Sequence, residues 1–221
     1  MIEAMKNTEK INIDNAKFTQ KPFYEFIKRI FDITFSLLSI ILLSPFFLII
    51  AIAIKLCDHG KVMYVSDRVG KNGKIFKFYK FRSMCEDADR IFDSVKNLNE
   101  TTGSIFKMKD DPRITKVGSL LRRTSLDELP QLFNILKGDM SFVGPRSPLV
   151  REVENYDSTA KNRLAVVGGL TCYWQISGRS KIGFDEMVEL DLKYINERSI
   201  LTDLKILILT VPAVFKGDGA Y

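Results

Sequence analysis

Residues 33–54, ITFSLLSIILLSPFFLIIAIAI, form the longest run without a charged residue in this chain. The 22 residues include no charged side chain, and they lack the polar stripe of a helix that packs on a soluble core. As an α-helix the stretch would be roughly 33 Å long, which is enough for the hydrocarbon thickness of a bilayer. We therefore expect residues 21–57 to form a membrane-inserted helix.

A proline near the middle of this stretch argues against a simple span. Pro45 has no backbone N–H and crowds the carbonyl of Ile41, so the helix should bend there, and the Ser44 hydroxyl can bond to the freed backbone groups. Basic residues flank both ends, so the positive-inside rule identifies no outer end. A re-entrant helix bent at Ser44–Pro45, which returns to the face it entered, explains both features. An ordinary kinked spanning helix is the alternative.

The rare residue types exclude several kinds of site. The 221 residues include three widely spaced cysteines, Cys57, Cys85 and Cys172, and a single histidine, His59. We therefore expect no disulfide framework, no cysteine zinc site and no His-cluster metal site. The chemistry must rest mainly on Asp, Glu, Lys, Arg, Ser, Thr or Tyr.

The net charge of +6 is concentrated in one segment. Residues 61–82 hold seven Lys or Arg against the single acid Asp67, while the rest of the chain has 26 residues of each sign. This concentration indicates an anionic partner, which could be lipid headgroups, phosphates or nucleic acid; a solvated basic face is the alternative. Val, Phe and Tyr around an Asn72–Gly73 turn signal predict a small β-hairpin in the same segment, with strands at 62–68 and 74–81.

The expected fold class is α+β, predominantly helical, with a loosely ordered N-terminus over residues 1–20 and one cytoplasmic catalytic domain over residues 58–221. The apolar segment 204–215 is too short to span and could lie in the membrane interface or in the protein core. Further helices are expected over 85–98, 125–137 and 184–195. In the second of these, the predicted buried face is Leu129, Leu132, Phe133 and Leu136.

The sequence RRTSLDELPQL, residues 122–132, is the clearest candidate for chemistry. Ser125 and Glu128 have the spacing of a capping box, and Pro130 would fall in the first helical turn. Asp127 would then lie at the positive end of a helix dipole, which favours an ionised carboxylate and binds phosphate readily. Acids at helix starts are also common as plain caps, so this motif alone leaves a structural role open.

The charges around this motif favour a phosphate site. Arg122 and Arg123 precede the acids, and a Gly-Pro-Arg turn that ends at Arg146 follows one helix later. Arginine forks hold phosphate oxygens, and Mg²⁺ binds one or two carboxylates together with phosphate. A carboxylate is already ionised at pH 7, so it can act as a nucleophile without a histidine base. The common glycine-rich phosphate loops are absent.

Three stretches resemble the bacterial sugar transferase family, the monotopic phosphoglycosyl transferases: KFYKFRSM at 77–84, residues 111–148, and GLTCYWQISGR at 169–179. The resemblance runs from about residue 22 to the C-terminus and includes the apolar segment with its central Ser-Pro. It implies a monotopic protein with a re-entrant helix and interfacial amphipathic helices, on the cytoplasmic face of the bacterial inner membrane. Family members transfer a phosphosugar from a UDP-sugar to polyprenyl phosphate and release UMP.

The resemblance also implies roles for individual residues. Asp127 is the expected nucleophile, which forms an aspartyl phosphosugar, and Glu128 binds Mg²⁺ together with Asp127. Arg146, which follows Pro145 in the Gly-Pro-Arg turn, is expected to contact phosphate. Weaker candidates for phosphate binding or structural roles are Lys80, Arg82, Arg122 and Arg123. The implied partners are a UDP-sugar, undecaprenyl (polyprenyl) phosphate and membrane lipids, without nucleic acid, in a pathway that begins polysaccharide, lipopolysaccharide or other glycoconjugate assembly; a homodimer is left open.

The chain departs from the family pattern in one loop, and two other functions stay open. Residues 167–172, VGGLTC, lack the proline of the family's Lys-Pro-Gly-Leu-Thr-Gly, so sugar specificity cannot be inferred from them. The aromatic pair Tyr173–Trp174 could contact the nucleotide or sugar, or pack in the core. The first alternative function is a non-enzymatic, membrane-anchored protein whose basic segment binds nucleic acid or lipid. The second is an enzyme that hydrolyses UDP-sugars or phospholipids at the same acids.

Overall fold

The computed structural model describes residues 13, 18–95, 108, 111–178 and 182–216. Its strands are β1 (Met63–Val69), β2 (Ile75–Phe81), β3 (Ser141–Val143) and β4 (Gly169–Thr171). Its helices are α1 (Pro22–Asp58), α2 (Ala88–Val95), α3 (Lys116–Arg123), α4 (Gln131–Lys137), α5 (Val150–Val153), α6 (Ser158–Lys161), α7 (Tyr173–Ile176), α8 (Phe184–Glu197) and α9 (Ile200–Lys216). Three short 3-10 turns cover Lys71–Gly73, Leu126–Glu128 and Asn162–Ala165. The predicted α+β class with a helical majority is confirmed.

The apolar helix α1 runs without interruption through Pro45. The Ser44 hydroxyl donates to the Ile41 carbonyl at 2.8 Å, as expected for the carbonyl that Pro45 leaves without its helical partner. The mean hydropathy of its most apolar window is 2.9, and among the described residues α1 alone is long and apolar enough to cross a membrane. Most of its large apolar side chains are exposed. The sharp bend at Ser44–Pro45 stays a prediction.

The first half of α1 is fastened to the domain by charged side chains. Arg29 donates to the carbonyls of Ile135 and Leu136 at 2.6 and 2.7 Å, and so caps the C-terminal end of α4. Asp32 is buried and accepts from the Phe142 backbone N–H at 3.1 Å, at the start of β3. These contacts fix α1 against the elements that carry the candidate site.

The second half of α1 contacts the same folded unit as the first half. Ile50 and Ile54 are buried in a cluster with Phe81 of β2. Asp58, the last residue of the helix, forms an ion pair with Arg82. Both ends of α1 are therefore attached to one domain.

The predicted hairpin is confirmed with nearly the predicted limits. β1 and β2 are antiparallel, with Tyr64 opposite Lys80 and Arg68 opposite Phe76. Asn72 adopts a positive φ of 56° in the turn, which Asn tolerates better than most residues.

The predicted single helix over 125–137 is wrong in its first turn. Ser125 has a left-handed φ of 57° and no capping hydrogen bond, whereas an N-cap residue is extended. Leu126–Glu128 forms a 3-10 turn, and α4 begins only at Gln131. The reason is that α3 ends at Arg123, and the left-handed Ser125 separates that helix from the next turn, so Ser125 cannot also serve as an extended N-cap.

The predicted buried face of this helix is also shifted. The buried residues of α4 are Gln131, Leu132, Asn134 and Ile135, while Phe133 is exposed. The apolar periodicity missed Asn134 because its burial depends on hydrogen bonds to β2, described below. The stop at Gly138 is confirmed, with a left-handed φ of 92°.

The close parallel pairing of β3 and β4 holds the Gly-Pro-Arg turn in place. The two strands are parallel, the Gly144 N–H donates to the Thr171 carbonyl at 2.9 Å, and the Gly169 N–H donates to the Pro145 carbonyl at 2.9 Å. A Cβ on Gly169 would overlap the backbone of Gly144, so only glycine permits this approach. Pro145 is buried next to this strand pair and supports the turn.

The two C-terminal helices complete the core. α8 matches the prediction for 184–195, and Tyr173 and Trp174 pack against the core cluster that it shares with α9. In α9, Ile206 is fully buried while Leu201 and Ile208 are 79% and 69% exposed, so one face packs in the core and another is left apolar and exposed. The expected loose N-terminus, residues 1–20, falls mostly outside the described residues; within it, Phe18 is buried.

Candidate active site

The two predicted acids lie in the 3-10 turn between α3 and α4, facing one lysine of β2. Lys80 Nζ is 2.8 Å from Glu128 Oε1 and 3.6 Å from Asp127 Oδ2. The Asp127 side chain is 7% exposed, whereas that of Glu128 is 37% exposed. The turn therefore presents one covered and one accessible carboxylate to the same cation.

A buried asparagine sets the distance between Lys80 and the acids. Asn134 of α4 accepts from the Tyr79 N–H at 3.0 Å and donates to the Lys77 carbonyl at 2.6 Å. Its amide thereby takes the place of a third strand at the edge of β2. This pairing holds the start of α4, and the turn before it, next to Lys80.

Arg122 reaches the site from the last turn of α3. Its Nε donates to the Ser83 hydroxyl at 2.9 Å. A Cβ on Gly118 would overlap the Ser83 carbonyl, so α3 packs directly on the chain that follows β2. Burial lowers the pKa of Arg122, but the nearby Asp127 carboxylate favours its charged form.

The two acids have pKa values shifted in opposite directions. Burial raises the pKa of Asp127 above its ordinary value of 3.8, and the charge of Glu128 adds to the rise although Lys80 opposes it. Burial also tends to raise the pKa of Glu128, but the charge and hydrogen bond of Lys80 outweigh it, so that pKa lies below 4.5. Opposed shifts within a pair of acids are a common mark of divided chemical roles.

Arg146, the last residue of the Gly-Pro-Arg turn, is held by a buried acid. Its two terminal nitrogens donate to the Glu152 carboxylate at 2.9 and 3.3 Å, and Glu152 also accepts from the Leu149 N–H at 2.9 Å. Glu152 is 2% exposed, and despite its burial the charge of Arg146 keeps its pKa below the ordinary value. The guanidinium of Arg146 is thus fixed by a partner that remains ionised.

The other predicted residues lie apart from the dyad. Arg82 is 9% exposed and pairs with Asp58 at the end of α1, which is a structural contact. Arg123 is exposed, and no hydrogen bond or ion pair joins it to the acids in the part of the chain that the structure describes. Pro145 shapes the turn through its carbonyl.

Sequence reasoning did not single out Arg68 or Glu152. Arg68 closes β1, and the alternation of side chains along the hairpin places it on the same face as Lys80, so a signal for it was present. The position of Glu152 depends on how α5 packs behind the turn, which no local pattern indicates.

The dyad could hold a divalent cation together with a phosphate ligand. Both carboxylates lie within ion-pair distance of the same nitrogen, Lys80 Nζ. Within the described ranges, no group of three or more His, Cys, Asp or Glu converges into a complete metal cage. Mg²⁺ needs only one or two carboxylates when waters and substrate phosphates complete its shell, so the residues fit that mode.

Comparison with known proteins identifies the class. The sequence pattern of the bacterial sugar transferase family matches residues 23–217, and the chain belongs to this family. It is 50% identical to the galactosyl transferase CpsE of Streptococcus agalactiae over 194 residues, which cover 87% of this chain and 43% of that protein. It is 43% identical to the exopolysaccharide production protein ExoY of Sinorhizobium fredii over 205 residues, covering 91% of both.

A third relative is named after the reaction that it catalyses. The UDP-glucose:undecaprenyl-phosphate glucose-1-phosphate transferase of Escherichia coli is 40% identical over 203 residues, which cover 88% of this chain and 41% of that protein. The chain thus spans less than half the length of some relatives and nearly all of ExoY.

Proposed function

We propose that this chain transfers a sugar 1-phosphate from a UDP-sugar to undecaprenyl (polyprenyl) phosphate, with release of UMP, at the Asp127–Glu128 dyad. The observation that carries the proposal is the placement of two acids with opposed pKa shifts beside Lys80 and Arg122 in a bacterial sugar transferase. The names of relatives support the donor and acceptor. ExoY supports a role in exopolysaccharide assembly.

The proposed route has two displacements at one phosphorus atom. An Asp127 oxygen attacks the phosphorus next to the sugar, the bond to the UMP oxygen breaks, and an aspartyl phosphosugar forms. An oxygen of polyprenyl phosphate then attacks the same phosphorus, and the Asp127 carboxylate leaves. Lys80 and Arg122 offset the charge on the transferring phosphoryl oxygens. Mg²⁺ held by Glu128 and Asp127 would neutralise diphosphate charge.

The partial burial of Asp127 suits this role. A carboxylate that has lost most of its hydration gives up less solvent when it attacks, and the adjacent Lys80 and Arg122 charges oppose the rise in its pKa. Glu128, which is more exposed and has a lowered pKa, is the better placed of the two to keep a cation bound.

The test uses purified protein, a panel of labelled UDP-sugars and Mg²⁺. Without lipid, we expect UMP release at about one equivalent per protein together with a labelled protein adduct. Addition of polyprenyl phosphate should convert the adduct to a lipid product. Asp127→Asn should lower the rate by about a thousandfold or more, whereas Asp185→Asn, on the exposed side of α8, should leave it unchanged. Normal turnover by Asp127→Asn would remove the nucleophile assignment, and a free sugar phosphate as product would indicate hydrolysis.

We also propose that α1 is re-entrant, with the domain on the cytoplasmic face of the inner membrane. The support is that both halves of α1 contact the same folded unit while its outer surface is apolar and exposed. Cys57 near one end of the helix is exposed, and Gln20→Cys supplies a thiol before the other end. In intact cells an impermeant maleimide should label neither thiol. Labelling of one thiol alone from outside would establish a spanning helix.

A further inference from the structure

Arg68 lies at the end of β1 on the face of the hairpin that carries Lys80. The antiparallel register places Arg68 opposite Phe76 and Tyr64 opposite Lys80, so these side chains share one face. The Phe78 ring lies between the two cations: Arg68 Cζ is 4.8 Å and Lys80 Nζ 5.8 Å from its centroid. Arg68 therefore contacts the same aromatic ring as Lys80, the lysine that contacts both acids.

The same arginine also meets the Gly-Pro-Arg turn. Its NH1 donates to the Ser147 carbonyl at 3.0 Å, and the adjacent Val69 N–H donates to the Pro148 carbonyl at 2.9 Å. Arg68 thus contacts the residue that directly follows Arg146 in the turn. Burial is the main cause that lowers the pKa of Arg68 to about 10, and the positive charge of Arg146 adds to it. Two neighbouring guanidinium groups repel each other, and an anion bound by both would offset that repulsion.

Both arginines keep donors for such an anion. A guanidinium has five N–H donors. Arg146 is held from behind through its two bonds to Glu152. The Nε of Arg68 is buried and has no hydrogen-bond partner among the residues that the structure describes. A buried donor without a partner costs free energy, and it indicates a place where a ligand completes the bonding.

The local charge points to the same kind of ligand. Lys80, Arg122, Arg68 and Arg146 stand against the three carboxylates Asp127, Glu128 and Glu152. The cluster therefore keeps an excess of positive charge. Each arginine fork can bind two oxygens, so two forks together can hold several oxygens of one phosphate group.

From this geometry we infer that Arg68 and Arg146 form a two-guanidinium site that binds one phosphate group beside the Asp127–Glu128 dyad. Glu152 is a positioning residue that holds the Arg146 fork in place. The inference rests on the proposed function for its natural ligand, which is a phosphate either of the nucleotide donor or of the lipid acceptor. It assigns phosphate binding to Arg68.

Binding of inorganic pyrophosphate tests the site without any transfer activity. We expect pyrophosphate at millimolar concentration, with Mg²⁺, to raise the melting temperature of the wild type and of the control Arg90→Gln, whose arginine is 87% exposed. The rise should disappear in Arg68→Gln and shrink in Arg68→Lys, which keeps the charge but not the fork. If Arg68→Gln does not fold, Arg68→Lys decides. An unchanged response in these variants, or no response in the wild type, would overturn the inference.

Steady-state kinetics identifies the source of the phosphate. Arg68→Gln should raise the KM for one substrate by roughly tenfold to a hundredfold, as expected for a lost charge-assisted contact. An increase in the donor KM, seen already as slower UMP release without lipid, assigns the site to the nucleotide sugar. An increase in the acceptor KM alone assigns it to polyprenyl phosphate.

The two proposals fail separately. Transfer with both KM values unchanged in Arg68→Gln would refute the phosphate site and leave the proposed function in place. Absence of transfer from any UDP-sugar, with pyrophosphate stabilisation that still depends on Arg68, would refute the function and leave the anion site.

Discussion

Neutralising the two adjacent acids should change stability in opposite directions. The raised pKa of Asp127 means that its charged form is less favourable in the folded chain than in the unfolded chain. That cost is absent below 3.8, where both states are protonated, and it grows as the pH rises from 3.8 through the raised pKa. The lowered pKa of Glu128 has the reverse meaning: its contribution is present above 4.5 and is lost as the pH falls through the lowered value. At pH 7, Asp127→Asn should therefore stabilise the protein and Glu128→Gln should destabilise it.

The contacts set the size of each effect. Glu128→Gln removes an ionic hydrogen bond of 2.8 Å from a side chain that is 37% exposed, which is worth about 1 kcal/mol after screening by solvent. Asp127→Asn gives up a 3.6 Å contact with Lys80 and an attraction to Arg122, but it relieves the burial of a charge, for a net gain of about 0.5–1 kcal/mol. For a chain of this size, each kcal/mol moves the melting temperature by about 2–4 °C.

Thermal unfolding followed by intrinsic fluorescence, in detergent with EDTA, measures both shifts. Glu154→Gln, at an exposed acid, should stay within about 0.5 kcal/mol of the wild type. The stabilisation by Asp127→Asn should shrink as the pH is lowered toward 4, because the wild-type carboxyl then protonates. The reasoning is refuted if Asp127→Asn lowers the melting temperature at pH 7 as much as Glu128→Gln does.

Three other changes test contacts that hold the site. Lys80→Met should lower the melting temperature at pH 7 in EDTA, because two acids lose their shared cation, and Lys80→Arg should restore most of the loss; equal melting of all three proteins would contradict the bridging role. Arg29→Met removes two charge-assisted bonds to the end of α4 and should cost about 2–3 kcal/mol in thermal unfolding, whereas Arg90→Met should cost little. Gly118→Ala should displace α3 from Ser83 and reduce soluble yield and transfer together; a normally folded, active Gly118→Ala protein would show that the approach is less close.

The hairpin could be predicted from sequence because its signals are local. Asn72–Gly73 favours a turn, and alternating Val, Phe and Tyr favour strands on either side of it. The role of Ser44 was equally local, since a hydroxyl one residue before a proline lies within reach of the carbonyl that the proline leaves unpaired. Both predictions needed no knowledge of the rest of the fold.

The dyad's surroundings could be predicted only in part, because they depend on contacts between distant segments. The capping-box spacing of Ser125 and Glu128 was present, but Ser125 is left-handed in the connection that follows α3. Asn134 reads as a polar interruption of an apolar face, yet its amide makes the hydrogen bonds that hold α4 on β2. Such a residue is recognised only when the partner strand is known.

In the basic segment 61–82, cations that are close in sequence lie on different faces of the hairpin. Alternation places Arg68 and Lys80 on the face of the hairpin toward the acids, while Lys77 points the other way and pairs with Asp67 at 2.8 Å. Arg82, just past β2, reaches back to the end of α1. Arg68 and Lys80 therefore lie on the side of the acids, whereas Lys77 and Arg82 are engaged in ion pairs elsewhere, so the net charge of the segment overstates its capacity for an anionic ligand at the dyad.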